Sequence, residues 1–280
     1  MDLTWHTFGH EGVKKLLGRQ LLSEKFPHAY LFTGPEGIGK KTLALEFAGK
    51  ILGTGKPENH PDFKMLDEAG QAAAETVRDF IASLGLRPFF GRYKVAIIND
   101  AHKLNLQSGN ALLKTLEEPS DSTIIILIAL GRQMLPTVVS RCQVLNFNLF
   151  SPEKLKEYAG QAGLAVDEKM LLSSFGQINR LRHLAGSPEF ASRQAKLMER
   201  FNRLKKEGVG ERLAAVAELA DTEGQELEEM LSLWAFYQKA DMGKDAVKNG
   251  RVLAAIYETL AQLRTNKNRK LVLQGLFLKL

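Results

Sequence analysis

Cysteine is almost missing from this chain. Cys142 stands alone among the 280 residues. That excludes an internal disulfide and any multi-cysteine zinc site. Long hydrophobic runs are missing too, and nothing approaches the ~20 apolar residues of a membrane span. The opening residues, Met1-Asp2-Leu3-Thr4-Trp5-His6, lack the basic-then-apolar layout of a secretion signal. No internal repeat or low-complexity tract stands out. No nucleophile–histidine–acid arrangement does either, and His102 has no second metal ligand at useful spacing, so it reads as structural. These absences point to a cytoplasmic protein without a membrane partner.

What is present suits a globular chain of two or three domains. Hydrophobic residues make up 44%. The formal net charge of +6 leans toward a polyanionic partner without identifying one. The first half alternates apolar strand-like runs with helical spacing. Ala29–Thr33, Asp62–Leu66, Val95–Ile98, Thr123–Ala129 and Val144–Phe147 read as five strands, and helices are expected over about 10–26, 42–52, 75–84 and 106–116. Such alternation predicts a mostly parallel sheet with helices on both faces. After Phe150 the strands stop. Residues 151–185 read as a small helical unit opening at Ser151-Pro152-Glu153, and Gly186-Ser187-Pro188 reads as a hinge. Two apolar stripes close the chain. One holds Val252, Leu253, Ile256, Leu260 and Leu263; the other holds Leu271, Leu273, Leu276, Phe277 and Leu280.

The most telling segment is 34–42, Gly-Pro-Glu-Gly-Ile-Gly-Lys-Lys-Thr. It fills the phosphate-loop pattern G-x-x-x-x-G-K-[ST] with Gly34, Gly39 and Lys40. The next place, where a hydroxyl would hold magnesium, is Lys41. A strand before and a helix after favour a phosphate cradle over an ordinary glycine-rich turn. Whether nucleotide still binds stays open. The third strand ends Asn99-Asp100, where a hydrolysing relative has an aspartate and often a glutamate. Asn99 is a poor magnesium ligand and Asp100 is one methylene short. Both can equally serve to cap the strand and turn the chain. Ser140-Arg141-Cys142 precedes the fifth strand, and Arg141 is either a surface arginine or one aimed at a neighbour's phosphates. Cys142 reads as a small packed hydrophobe. Basic clusters at Lys14-Lys15-Arg19, Arg92-Lys94, Arg200-Arg203-Lys205-Lys206 and Lys267-Arg269-Lys270 read as solvated faces without interleaved aromatics. Stacking on single strands is therefore not indicated, and contacts to duplex phosphates remain open.

Several segments resemble the AAA+ subunits of the bacterial DNA polymerase III clamp loader. They are His28–Phe32 before the loop, His60-Pro61-Asp62-Phe63, Tyr93–Ile98, Asn110–Pro119, Leu135–Cys142, and the tail Asn266–Leu280. Coverage is nearly end to end and weakest between about 190 and 250. The delta-prime branch is the most similar one. In the ATP-driven gamma/tau branch the loop ends in lysine then threonine and the acid pair is intact; Lys41 and Asn99 depart from both. The polar sensor after the fourth strand is replaced by Ala129-Leu130-Gly131. The second sensor arginine would fall at Asn179, with Arg180 one place on. The four-cysteine zinc module of the family is missing, since 53–60 holds no cysteine.

The resemblance implies an α/β fold: an AAA+ P-loop domain with a parallel sheet (1–150), then a helical lid (151–185) and an all-α collar that joins subunits (186–280). It implies a subunit that does not hydrolyse ATP, helps load the sliding clamp on primed DNA, and lends Arg141 as an arginine finger to a neighbouring ATPase. Gly34, Gly37, Gly39, Lys40, Lys41 and Thr42 would form the degenerate phosphate loop, and Asn99 and Asp100 the degenerate acid pair. Arg92 and Lys94 would touch DNA phosphates, and no metal is expected. No cofactor is fixed, and binding of ATP or ADP stays open. The implied partners are the delta and gamma/tau subunits, the clamp and primer–template DNA. One rival is a divergent active ATPase of the gamma/tau type, with Thr42 or Asp100 covering for the lost ligands. Another is a DNA-binding protein outside replication.

Overall fold

The computed structural model describes residues 4–67, 69, 74–131, 134–240, 245–263, 265 and 267–280. Asn266, where the tail segment begins, and Met1–Leu3, which open the chain, lie outside them. Two compact units result. One comprises Met1–Gly163 and Gly176–Arg180, the other Leu164–Phe175 and Leu181–Leu280.

In the first unit, α1 (Glu11–Ser23) leads to β1 (Ala29–Thr33), α2 (Lys40–Leu52), β2 (Phe63–Leu66), α3 (Ala74–Ala82) and β3 (Lys94–Ile98). Then come α4 (Leu106–Glu117), β4 (Thr123–Ala129), the short α5 (Pro136–Val139), β5 (Gln143–Asn146) and α6 (Pro152–Gln161). The five strands form one sheet in the order β2-β3-β4-β1-β5, and every pairing is parallel. The inner strands β1, β3 and β4 are buried along their length because helices cover both faces. Tyr30, Phe32, Val95, Ile97, Ile124 and Ile126 turn toward α1 and α2, sharing a core with Leu17, Leu43 and Phe47. Their neighbours Leu31, Ala96, Ile98, Ile125 and Leu127 turn the other way, onto α3 and α4 through Val77, Ile81, Leu112 and Leu116. This period-two sorting is what a strand predicts. The parallel direction of the strands brings the carboxyl ends of β1, β3 and β4 to one edge, where α/β sheets place ligands.

The expected strands all form, with small shifts. β2 starts one residue later than expected because Asp62 lies in the turn that the Phe63 N–H closes on the His60 carbonyl at 2.9 Å. α1 stops at Ser23, where Glu24 takes a left-handed turn with φ 50°. At the opening of α6 the Ser151 hydroxyl accepts the Lys154 N–H at 3.4 Å, with Pro152 in the first turn.

The second unit is helical, built from α7 (Glu168–Ser173), most of α8 (Ile178–Gly186), α9 (Pro188–Leu204), α10 (Val209–Ala220), α11 (Gly224–Ala240), α12 (Ala246–Leu263) and α13 (Arg269–Phe277). Ser187, read as part of a hinge, is the N-cap of α9 and accepts the Phe190 N–H at 3.3 Å. Trp234 anchors the core. It stacks on Phe201 at 4.7 Å, meets Phe277 edge-on at 6.2 Å and donates its indole N–H to the Leu197 carbonyl. The last stripe needs one correction. Leu271 is 65% exposed, and Val272 takes its place inside with Leu273, Leu276, Phe277 and Leu280. A helical stripe recurs every three to four residues, and Leu271 is one residue out of phase with the others.

Candidate functional site

The glycine loop leaves the carboxyl end of β1 and enters α2. Gly34 has φ 152°, and a Cβ there would sit 2.2 Å from the Phe147 carbonyl oxygen. Gly39 caps α2 at φ 95°, in the left-handed region that favours glycine. The loop is pinned through its carbonyls. His10 Nε2 donates to the Ile38 carbonyl at 2.7 Å, which fixes the proton on that nitrogen, and burial lowers the His10 pKa. The Asn179 backbone N–H donates to the Gly37 carbonyl at 3.0 Å. The second-sensor position therefore meets the loop through its main chain. Lys40 is 7% exposed and folds back on its own loop, donating to the Gly34 carbonyl at 2.7 Å and to that of Pro35. Burial depresses its pKa to about 8, against the pull of Glu36 and Asp100. The first-turn N–H groups of α2 have no intrahelical acceptor and carry the positive end of the helix dipole. Loop and helix together make an anion cradle.

The metal corner is built differently. Lys41 donates to Asp67 Oδ2 at 2.6 Å, and the Asn99 side-chain amide donates to Asp67 Oδ1 at 3.0 Å. One carboxylate thus ties together the two positions at which the sequence departs from a hydrolysing pattern. Its pKa is lowered, chiefly by the Lys41 hydrogen bond. Asp67 was not among the expected site residues. The signal lies in strand register. Leu66 pairs with Ile98 and the Asn99 N–H donates to the Leu66 carbonyl, so the residues following each strand stand side by side. Asn99 therefore does more than cap a strand. Asp100 does turn the chain, with φ 52° ahead of a short 3-10 turn, and pairs with Lys103 at 2.8 Å. Thr42 is exposed. One residue along a helix is a rotation of ~100°, which sets its hydroxyl away from the Lys41 position. Magnesium requires an octahedron of oxygens. This corner puts an ammonium in the metal's place, and its Asp67 carboxylate is already engaged by Lys41 and Asn99, so the residues do not fit the ion.

The replaced first sensor is occupied by local contacts. Thr33 Oγ1 donates to the Gly131 carbonyl, and His102 Nδ1 accepts the Leu130 N–H at 3.4 Å. Arg141 follows α5. Its guanidinium donates to Glu117 Oε1 at 2.8 Å and to the Thr137 carbonyl at 2.9 Å, and its side chain stays about a third exposed. Sequence reasoning did not single out Glu117 as its partner, though α4 ends there.

The DNA-contact pair separates. Arg92 is exposed, pairs with Glu24 at 3.2 Å and lies over the Tyr93 ring. Lys94 is buried at 3% exposure, its ammonium donating to the Leu86 carbonyl at 2.7 Å and the Ser83 carbonyl at 3.2 Å. It is the first residue of a central strand, with its stem in the core, and it reaches no surface phosphate. A second correction concerns aromatics. Phe89 and Phe90, beside Arg92, are 81% and 67% exposed. Buried Asp62 accepts both of their N–H groups and presents the pair.

The parallel order β2-β3-β4-β1-β5, with a phosphate loop after β1 and a degenerate acid pair after β3, is the AAA+ arrangement. A family model described as "DNA polymerase III, delta subunit" matches residues 9–151, which span the glycine loop, both halves of the metal corner and Arg141. This chain belongs to that family. Among curated relatives, DNA polymerase III subunit tau of Bacillus subtilis is 33% identical over 187 residues, covering 61% of this chain and 33% of its own length. DNA polymerase III subunit delta' of the same organism is 28% identical over 210 residues, covering 68% of this chain and 63% of its own. This chain thus spans less than two-thirds of either relative. A solved structure of a DNA polymerase III, gamma subunit-related protein from Thermotoga maritima aligns over 96% of this chain and 97% of its own, at 20% identity and a TM-score of 0.46. Both tau and delta' relatives match, so the position of this member within the delta-subunit family rests on its site. No helix among the described residues is long and apolar enough to cross a membrane.

Proposed function

We propose that this chain is a delta-prime-type subunit of the DNA polymerase III clamp loader, one that does not hydrolyse ATP itself. The observation that carries this reading is Lys41 in the magnesium position, hydrogen-bonded to Asp67. A metal positions water and bridges phosphates; an ammonium does neither. With the metal ligands and both sensors altered together, turnover in cis is negligible. Arg141 acts instead on ATP held by a neighbouring gamma/tau subunit. Glu117 holds it in the free chain and gives it up on assembly. The division into AAA+ domain (1–150), lid (151–185) and collar (186–280) belongs to this reading. So do the delta subunit, the sliding clamp and primer–template DNA as partners, and the cytoplasm as location.

The test is the ATPase rate of the assembled loader with wild-type chain and with Arg141→Ala. An arginine finger contributes ~10³–10⁵ in rate at the site it serves. The complex should therefore lose the whole share of one ATP site. Unchanged activity would remove the finger role. Steady magnesium-dependent phosphate release by the isolated wild-type chain would favour the active-ATPase reading.

A further inference from the structure

The misfit of magnesium leaves an open matter at the loop, because the cradle is intact and its counter-ion is not. We propose that this loop binds the polyphosphate of a nucleoside diphosphate or triphosphate without a divalent metal, with the Lys41 ammonium standing in the metal's place under the control of Asp67 and Asn99. This rests on the reading of the loop as a phosphate cradle.

Three observations support it. First, the backbone of the cradle is preformed. His10 and Asn179 hold the Ile38 and Gly37 carbonyls, and the glycine conformations are set. Second, the corner is saturated with nitrogen donors. Asn99 spends its amide N–H on Asp67, and Asp67 spends one oxygen on Asn99 and the other on Lys41. A dication brought in with the nucleotide would meet an ammonium, and an Asp67 carboxylate whose two oxygens already accept from Lys41 and Asn99. Third, the Lys41–Asp67 pair is loose. Both side chains are nearly half exposed, and pairs of that kind hold weakly. A polyphosphate carries several charges against the single charge of Asp67, so it draws the ammonium off at little cost. Asp67 then acts as a parking place that keeps Lys41 extended at the cradle's edge while the loop is empty. Lys40 undergoes the same exchange, trading the Gly34 and Pro35 carbonyls for phosphate oxygens. Asp67 is a positioning residue here, and the two lysines are the ligands.

The chemistry sets the sign of the metal effect. Complexing a polyphosphate with magnesium removes charge that Lys41 would meet and adds a cation that Lys41 repels. The metal-free nucleotide is the better ligand.

The experiment is a titration of the full chain with fluorescently labelled ADP, in magnesium and in EDTA. The wild type should bind as tightly in EDTA as in magnesium, or more tightly. Lys41→Thr should weaken metal-free binding about tenfold or more, the scale of one charge-assisted contact. The double variant Lys41→Thr, Asn99→Asp sets a hydroxyl and two adjacent carboxylates in the corner, and its binding should become magnesium-dependent. Lys40→Ala should abolish binding in both buffers, which places the nucleotide in this loop. A tenfold loss of wild-type affinity in EDTA would overturn the proposal, as would no ADP binding in either buffer from a chain with a normal thermal melt. Assembly with delta and gamma/tau subunits, followed by clamp loading, tests the subunit reading separately. A chain that loads clamps yet binds nucleotide only with magnesium, or not at all, keeps its role and loses this inference.

Discussion

Two adjoining parts of the site show different kinds of construction. The cradle, from Gly34 to Lys40, is made of backbone. Its carbonyls are held by His10, Lys40 and the Asn179 main chain, and Gly34 lies so close to Phe147 that no Cβ fits. The corner, made of Lys41, Asp67 and Asn99, is a contact among side chains, half in water. A backbone cradle changes only if the fold changes. A side-chain corner can exchange one counter-ion scheme for another by substitution at two or three places. In this chain the loop's shape is set by its backbone, whereas the corner holds an ammonium and an amide on one carboxylate.

The largest effect that tests this contrast comes from Gly34→Ala. The new methyl group would press on a main-chain oxygen in a conformation that L residues rarely adopt. Overpacking and backbone strain together cost about 3 kcal/mol or more. Thermal melting should show a drop of several degrees. Lys41→Ala, at the half-exposed corner, should cost under about 1 kcal/mol. Equal losses at the two sites would end the distinction.

A smaller effect shows the burial of Lys40 through pH. Lys40 gives up its proton near pH 8 in the folded protein because burial penalises its charge, whereas the unfolded side chain holds it to the ordinary lysine value of 10.5. Between those values the unfolded state binds more protons, so this group adds stability as the pH rises. Urea unfolding measured from pH 7 to pH 10 should show that rise in the wild type relative to Lys40→Met. If Lys40→Met follows the wild type across the window, the ammonium is not buried against its own loop in solution.

What the sequence made legible follows the same division. All five strands and the glycine loop between β1 and α2 could be read because each depends on local pattern: apolar runs bounded by turns, and glycines at fixed spacing. The departures at Lys41 and Asn99 were legible as letters. Their common partner was not, since Asp67 lies at the end of a different strand and becomes their neighbour only through the β2–β3 register. Lys94 reads as a surface lysine by residue type, yet it opens a central strand and is buried. Phe89 and Phe90 are exposed aromatics beside Arg92, where the sequence reading found no interleaved aromatics. They face out because Asp62, distant in sequence, binds their N–H groups. In each case the missing information was a long-range contact, and one-dimensional periodicity cannot supply it.

The smallest predicted effect probes the corner from the acid side. Asp67 has a lowered pKa because Lys41 and Asn99 both donate to its carboxylate. A carboxylate with a depressed folded value contributes stability above its unfolded value of about 3.8, and loses it as the pH falls through the folded one. With Asp67 nearly half exposed, that contribution is at most about 1 kcal/mol after screening. Carboxyl-carbon NMR should place its titration below the ordinary aspartate value of 3.8. Lys41→Met should move it back toward the ordinary value, because the largest donor is gone. Asn99→Ala should move it less. Added ADP gives the sharpest reading: once the ammonium turns to phosphate, the Asp67 titration should rise as it does in Lys41→Met. A titration indifferent to ADP, in a chain that binds ADP, would mean that Lys41 never leaves its carboxylate and that the cradle works with Lys40 alone.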